Sequence, residues 1–449
     1  MEKNIFREYD IRALVGKEMN AQEAELVGKA FGSMAIGDIA VGCDNRESSP
    51  AFKENFIKGL LSAGCNVVDI GVVPTPVMYF AVCYYAFDGG VNITASHNPP
   101  EYNGFKLCKK SAEPFFGEDI QKLWERIQKK DFRSGQGKLT KRGVIEDYLD
   151  CIKNKIRLEK KFKVVVDCGN AVGSLTLPRL LESLGCEVVR LYCYLDSKFP
   201  HHLPDPAKAE NLKDLIQRVK EEGADLGLGF DGDADRIGVV DRNGRIFYGD
   251  DLMVLFAKEI LSKKPKAKIL FEVKCSQNLY DKILEFGGKP IVWKTGHSLI
   301  KDKMKKEDAL LAGEMSGHLF FRDEWFGFDD AVYSAARLLR FLSAQEKDIG
   351  ELLDENKYVS SPEIRVDCPD ERKFKIVEEL KEVLLKAHPK SITVDGIRTI
   401  YPFGWGLVRA SNTSPKLILR FEADSGKNLK DIESDFRHLL SKYPEVGVW

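Results

Sequence analysis

The chain has 449 residues, 43% hydrophobic and 31% charged, the make-up of an ordinary soluble globular protein of roughly three or four domains at about 150 residues each. Lys+Arg (68) and Asp+Glu (69) cancel to a net charge of −1, which argues against a nucleic-acid binder and requires that any basic groups holding a phosphorylated ligand be concentrated locally. No apolar run approaches the ~18 residues of a membrane span, the start lacks a signal-peptide core, and ten scattered cysteines without a C-x-x-C pair read as small buried thiols in a reducing cytoplasm.

The chain opens on Phe6-Arg-Glu-Tyr-Asp-Ile-Arg12, a charged stretch carrying Tyr9 and Arg12. A strand at Ile39–Cys43, an amphipathic helix, a glycine stop and a strand at Ala63–Val68 form the first regular unit. Val91-Asn-Ile then leads into Thr94-Ala-Ser-His-Asn-Pro99. Proline bars the residue before it from helical backbone, so Asn-Pro starts a turn. Ser96 is therefore expected on a tight loop at a strand end, its hydroxyl presented, where an α/β protein sets a nucleophile. Lys106, an ordinary exposed lysine if taken alone, returns after Glu101-Tyr-Asn-Gly toward the same pocket.

The strand–helix–glycine–strand order recurs at Lys163–Val189 and Lys268–Val292, so three successive βαβ units with largely parallel, buried sheet are expected. Gly227-Leu-Gly-Phe-Asp-Gly232 matches a dinucleotide-binding pattern, but a strand and an Asn243-Gly244 turn follow where the pattern needs a helix to hold a pyrophosphate. The EF-hand pattern fails too, with Arg236 at its glycine position and Arg242 at its glutamate. Asp231, Asp233 and Asp235 gather like charges that cost free energy unless a cation neutralises them. Mg²⁺ fits best, a hard cation that shares its shell with phosphate, and Arg236 beside it suits a phosphate oxygen.

Lys294-Thr-Gly-His297 follows the last strand of the third unit, the sheet end where α/β sites lie. In Gly313-Glu-Met-Ser-Gly-His318, between apolar strands, Glu314, Ser316 and His318 alternate onto one face suited to sugar hydroxyls. The tail changes character. Strands are predicted at Ser391–Val394, Arg398–Tyr401, Gly406–Ala410 and Lys416–Phe421, and a helix at Asn428–Tyr443, a small α+β domain. Arg409-Ala-Ser-Asn-Thr413 offers a guanidinium fork, two hydroxyls and an amide as a phosphate cup, with Arg420 on the following strand; a plain turn is the alternative. The expected borders are 1–141, 142–245, 246–356 and 357–449.

Taken together, Thr94–Pro99, Asp231–Arg236, Gly313–His318 and Arg409–Thr413 resemble, in order and over nearly the whole chain, the motifs of the α-D-phosphohexomutases of phosphomannomutase/phosphoglucomutase type. The resemblance implies an α/β fold of three related mixed-sheet domains plus a C-terminal α+β domain around a central cleft, each donating one loop. It implies a phosphoserine at Ser96 and Mg²⁺ held by Asp231, Asp233, Asp235 and a phosphoserine oxygen. Glu314 and Ser316 would bind sugar hydroxyls, and Arg409, Ser411, Asn412 and Thr413 the distal phosphate. Arg12, Tyr9, His97, Lys106, Lys294, His297 and His318 would line the cleft. The Glu-Met-Ser loop resembles members that use both mannose and glucose phosphates, whereas relatives acting on glucosamine phosphate differ at Met315.

The implied reaction interconverts hexose 6-phosphate and hexose 1-phosphate through a bound 1,6-bisphosphate that turns end over end. Glucose or mannose 1,6-bisphosphate would be the activator, Lys106 or His318 the proton shuttle, and the fourth domain a water-excluding lid. A phosphoglucosamine mutase is the alternative within the family. A serine-nucleophile, metal-dependent phosphatase would instead release phosphate, and seven histidines without an H-E-x-x-H cluster argue against its zinc version. A non-catalytic sugar-phosphate sensor would be expected to lose the serine or an aspartate, and all are present. The expected partners are small sugar phosphates, with neither nucleic acid nor membrane.

Overall fold

The computed structural model describes residues 1–354, 356–412 and 414–449. Its first sheet contains β1 (Ile11–Leu14), β2 (Asp38–Cys43), β3 (Asn66–Val72), β4 (Gly89–Ile93), β5 (Tyr102–Lys109) and β6 (Leu139–Lys141), in the spatial order β1-β5-β4-β2-β3-β6. Helices α1 (Glu23–Met34), α2 (Ser49–Ser62), α3 (Thr75–Tyr84) and α4 (Glu118–Lys129) accompany it. On α4, Ile120, Leu123 and Ile127 fall on one buried stripe and the charged residues face water, the usual solution for an amphipathic helix.

The second domain follows α5 (Ile145–Lys153). Its strands β7 (Lys163–Asp167), β8 (Glu187–Leu191), β9 (Leu226–Phe230), β10 (Ile237–Asp241) and β11 (Ile246–Phe247) lie in the order β11-β10-β9-β7-β8, with α6 (Leu177–Ser183) and α7 (Lys213–Glu222). The third has β12 (Lys268–Glu272), β13 (Lys289–Trp293), β14 (Leu311–Gly313) and β15 (Leu319–Phe321) in the order β13-β12-β14-β15, with α8 (Gly249–Lys263), α9 (Gln277–Glu285), α10 (His297–Glu307), α11 (Ala331–Ser343) and α12 (Ile349–Leu353). In each of the three, the βαβ pair predicted from sequence is parallel, as β2/β3, β7/β8 and β12/β13. A third strand joins in parallel (β4, β9, β14), and an antiparallel fourth (β5, β10, β15) folds back beside it.

The fourth domain is antiparallel. β16 (Val359–Ser360) and β17 (Ile364–Asp367) both pair with β20 (Lys416–Ala423), which pairs with β19 (Gly404–Ala410) and then β18 (Ile397–Tyr401). Helices α13 (Asp370–Ala387) and α14 (Gly426–Leu440) pack on it. One expected strand is absent. Within Ser391–Val394, Ile392 makes only an isolated bridge to Arg398, because the chain doubles back through Gly396 at φ +68° before β18 begins. The sequence reading also missed β17 and α13.

One continuous apolar core runs through the first three domains, joining Tyr79 and Phe80 of α3, Tyr148 of α5, Leu177 of α6 and Trp325 and Tyr333 of the third domain. Trp325 stacks on Tyr333 at 4.5 Å and Phe80 meets Tyr148 edge-on at 5.3 Å. The fourth domain has its own core and reaches the third through a small cluster of Val273, Trp405 and Leu407. Among the described residues no helix is long and apolar enough to cross a membrane.

Candidate functional site

Each of the first three domains presents the loop between its third parallel strand and the antiparallel return. These are the β4–β5, β9–β10 and β14–β15 loops, and they carry Ser96, the aspartates and Glu314–His318. The fourth presents its β19–β20 loop with Ser411 and Asn412; Thr413 lies outside the described residues.

Ser96 is 1% exposed and sits at φ +51°, left-handed backbone that a residue with a side chain rarely adopts. Its N–H donates to Thr94 Oγ1 at 2.9 Å. Its hydroxyl donates to Asp231 Oδ2 at 2.7 Å, and His97 Nδ1 is 3.1 Å away. The serine loop of the first domain and the aspartate loop of the second therefore meet at one atom pair. Gly232 permits this approach, since a Cβ there would come 2.2 Å from the Ser96 carbonyl oxygen. Thr75, at the start of α3, donates its N–H to Asp233 O (2.9 Å) and its hydroxyl to Asp233 Oδ2 (2.6 Å). Ala331, at the start of α11, donates to Ala234 O at 3.3 Å. The aspartate loop is thus gripped by the domains on either side.

Asp231, Asp233 and Asp235 are fully buried and each offers a carboxylate oxygen within 4.8 Å of the others. Asp233 Oδ1 has no hydrogen-bond partner, and Asp235 Oδ1 faces only His318 Nε2 at 3.2 Å. Lys106 of β5 pairs with Asp233 at 2.8 Å and with Asp235. Burial, then Asp235 and Asp233, push the Asp231 carboxyl well above its ordinary value. For Lys106, burial disfavours the ammonium, but the three aspartates outweigh it and hold the group well above the usual lysine range. Buried, crowded, partly unpartnered carboxylate oxygens beside a hydroxyl are a donor set that fits a hard divalent cation.

His318 lies on the far side of this cluster. Its Nδ1 is 2.7 Å from Glu314 Oε2, and its Nε2 is 3.2 Å from both Asp235 Oδ1 and Arg236 Nε. Only a protonated ring serves both carboxylates; a neutral one accepts from Arg236. Burial favours the neutral ring, but Asp235 first among its neighbours overrides it and the imidazole is held up at about 9. Glu314 is the converse: against burial, His318, Lys274 and the Gly296 N–H bring it down to about 2. Gly296 N–H donates to Glu314 Oε1 at 2.6 Å, so Glu314, through His318, ties the aspartate cluster to the segment after β13. Ser316 Oγ is 3.4 Å from His318 Nδ1.

Tyr9 joins three parts of the chain. Its hydroxyl donates to Thr295 O at 2.8 Å and accepts from Asn412 Nδ2 at 2.6 Å. Its ring meets His297 edge-on at 6.2 Å, and His297 stacks on His318 at 5.5 Å. Asp395 accepts from Arg409 Nε at 2.7 Å and from Thr295 N–H at 3.1 Å, fastening the fourth domain to the third. Ser411 Oγ is 2.9 Å from Ser414 Oγ. Arg12 hydrogen-bonds Asn98 Oδ1 at 3.1 Å and so sits against the serine loop.

The structure thus brings Ser96, His97, Lys106, the aspartates, Arg236, Glu314, Ser316, His318 and Arg12 together in one group. Tyr9, Arg409 and Asn412 gather apart from these, and His297 lies between the two groups, stacked on His318 and 6.2 Å from Tyr9. Two residues stand apart. Lys294 is exposed, within charge range of Glu8. Arg420 is turned into the seam between the third and fourth domains, where its guanidinium donates to Lys274 O and, at 3.2 Å, to Asp250. The sequence reading passed over Lys274, Glu272 and Asp395. Lys274 follows β12 with its ammonium 2.7 Å from Glu363 and 3.4 Å from Glu272, and it acts on Glu314. Its place just past the carboxyl end of a parallel strand was the available signal.

Four family models match along the chain: phosphoglucomutase/phosphomannomutase α/β/α domain I over 3–134, domain II over 146–244, domain III over 248–358 and the C-terminal domain over 363–439. The chain is 50% identical over 442 residues to a phosphomannomutase/phosphoglucomutase of Pseudomonas aeruginosa, covering 97% of this chain and 95% of that one. It is 42% identical to a phosphoglucomutase of Neisseria gonorrhoeae, covering 100% and 98%. A crystal structure of a phosphoglucomutase/phosphomannomutase family protein from Burkholderia thailandensis superposes with a TM-score of 0.92 at 42% identity, covering 98% of both chains.

Proposed function

The chain belongs to the phosphoglucomutase/phosphomannomutase family and is a hexose-phosphate mutase, and we propose that it interconverts hexose 6-phosphate and hexose 1-phosphate, of mannose and of glucose, with Ser96 as phosphoryl carrier. The observation that carries the mechanism is the 2.7 Å contact of the Ser96 hydroxyl with Asp231 inside a buried triad of carboxylates. Asp231, Asp233 and Asp235 with an oxygen on Ser96 would hold Mg²⁺, which neutralises charge on a moving phosphoryl group.

Phosphorylated Ser96 gives its phosphoryl group to the free hydroxyl of the bound sugar phosphate. The resulting 1,6-bisphosphate reverses end for end, and its other phosphate returns to Ser96. Glucose or mannose 1,6-bisphosphate primes the cycle. Arg409, Ser411, Asn412 and Thr413 hold the distal phosphate, and Tyr9, bonded to Asn412, closes that end. Lys274 joins this binding set beside Lys294, His297 and Arg420. Glu314, ionised, and Ser316 orient sugar hydroxyls. When a phosphoryl group returns, His97 accepts the proton of the Ser96 hydroxyl. Burial, with Arg236 and Arg12, keeps its ring neutral, and Nδ1 is 3.1 Å away. His318, protonated at neutral pH, gives a proton to the departing sugar oxygen. The domain borders near 141, 245 and 356 let the fourth domain, with its separate core, act as the lid that excludes water.

The test is an isomerisation assay on mannose 1-phosphate and glucose 1-phosphate with Mg²⁺ and glucose 1,6-bisphosphate, run beside a phosphate-release assay. Turnover without phosphate release, a phosphate on Ser96 by mass spectrometry, and loss of activity in Ser96→Ala are expected. Full activity in Ser96→Ala contradicts the reading.

A further inference from the structure

Arg46 lies just beyond β2, outside every sequence motif, in Cys43-Asp-Asn-Arg46. It is 1% exposed. All of its guanidinium nitrogens are engaged. Nε donates to Asp44 Oδ2 at 3.0 Å. Nη2 donates to the carbonyls of Ser96 and Asn98, both at 2.7 Å, and Nη1 to those of Pro99 (2.6 Å) and Tyr102 (3.2 Å). One rigid fork therefore holds four carbonyls of the loop that begins at Ser96 and returns into β5. Asp44 is fixed in turn by Ser49, by the Arg46 N–H and by its own N–H to Ile93 O, the last residue of β4.

The second domain completes the clamp. The ring of Phe199 lies 5.2 Å from the Arg46 guanidinium, and a Cβ on Gly232 of the aspartate loop would come 2.2 Å from the same Ser96 carbonyl that Nη2 holds. The Ser96 carbonyl is thus pinned between a guanidinium and the aspartate loop. This matters because Ser96 holds left-handed backbone at φ +51°, a conformation that persists only when its surroundings over-determine it.

We propose that Arg46 is the positioning residue of the phosphoryl-transfer loop, setting the Ser96 hydroxyl in register with the aspartates without touching substrate. This rests on Ser96 being the phosphoryl carrier. A guanidinium suits the task because its five N–H donors are fixed in a plane, whereas a lysine ammonium is a compact point charge that cannot span four carbonyls. A carrier oxygen displaced by about 1 Å can lose about 10²-fold in rate while the sugar's own binding groups are untouched.

The test uses the full-length protein with Arg46→Lys, which keeps the charge, and Arg46→Gln, which keeps a planar amide. Each is measured for folding by circular dichroism, for kcat and KM, and for the rate at which phosphate on Ser96 passes to sugar. The expected result is a folded variant whose kcat and transfer rate fall at least tenfold while KM moves less than twofold, with Arg46→Lys no better than Arg46→Gln. A folded variant with kcat within twofold of the parent overturns the proposal, as does a loss confined to KM. Failure of both variants to fold also overturns it, since Arg46 is then a determinant of the fold. Ser96→Ala is run alongside: if it stays active, the carrier reading fails, and if it is inactive while Arg46→Lys is unimpaired, only the positioning role fails.

Discussion

At Ser96 the backbone and the side chain answer to different demands. A Cβ at φ +51° is unfavourable, and only glycine is free of that strain. Both Ser96→Ala and Ser96→Gly remove the hydroxyl, so both should be inactive, but Ser96→Gly should be the more stable by about 1 kcal/mol in denaturant titration, with equal stabilities arguing against a strained loop. His318 gives a pH signature. Its folded-state value of about 9 exceeds the ordinary 6.5, so its contribution is present in full below about pH 6.5 and is lost as the pH rises through about 9. The expected span is about 3 kcal/mol. Thermal melts of the metal-free protein should therefore fall between pH 6 and 10 more steeply than those of His318→Gln; parallel curves would mean that His318 is not held protonated.

At the scale of elements, three of the four loops leave the carboxyl end of a parallel strand before its antiparallel return, and the fourth, between two antiparallel strands, is tied to the others' neighbourhood through Tyr9. Close approach of the first two depends on Gly232. Gly232→Ala would push a Cβ into the Ser96 carbonyl, and overpacking of this kind costs about 1–3 kcal/mol, so a lower melting temperature and a kcat reduced about tenfold are expected, with unchanged kinetics counting against the juxtaposition. These loops were legible in the sequence because each packs its chemistry into five or six consecutive residues bounded by short apolar strands. Lys274, Glu272, Asp395 and Arg46 were not, because their partners lie far along the chain: Arg46 reads as one charge in a polar turn until its fork meets carbonyls 50 or more residues away. The setting of Arg420 was hidden for the same reason, since sequence adjacency to the phosphate cup says nothing of Asp250, 170 residues earlier. The tail was read less well than the repeats. Lys- and Glu-rich α13 buries only Lys373, Ile376, Val377, Leu380 and Leu384, a stripe easily lost among charges, and β17 is a four-residue edge.

Over the whole molecule, the shared core makes one body of the first three domains, whereas the fourth keeps its own core and joins the third by polar contacts around a three-residue apolar cluster. Arg398 is the centre of that seam, bonded to the carbonyls of Val273 (3.0 Å) and Cys275 (2.7 Å) and stacked 3.8 Å from Trp405. An assembly of this kind sets the serine and aspartate loops on one body and the phosphate-binding loop on another, which suits an intermediate that must turn over without escaping. That claim, a phosphoryl group shuttling between Ser96 and sugar inside a closed cleft, is tested most directly by rapid quench. Protein carrying radiolabelled phosphate on Ser96 is mixed with mannose 1-phosphate and Mg²⁺. The label should pass within one turnover to mannose 1,6-bisphosphate and then to mannose 6-phosphate, with little inorganic phosphate. Label released to water at the rate at which sugar is consumed, with no labelled bisphosphate, would contradict it.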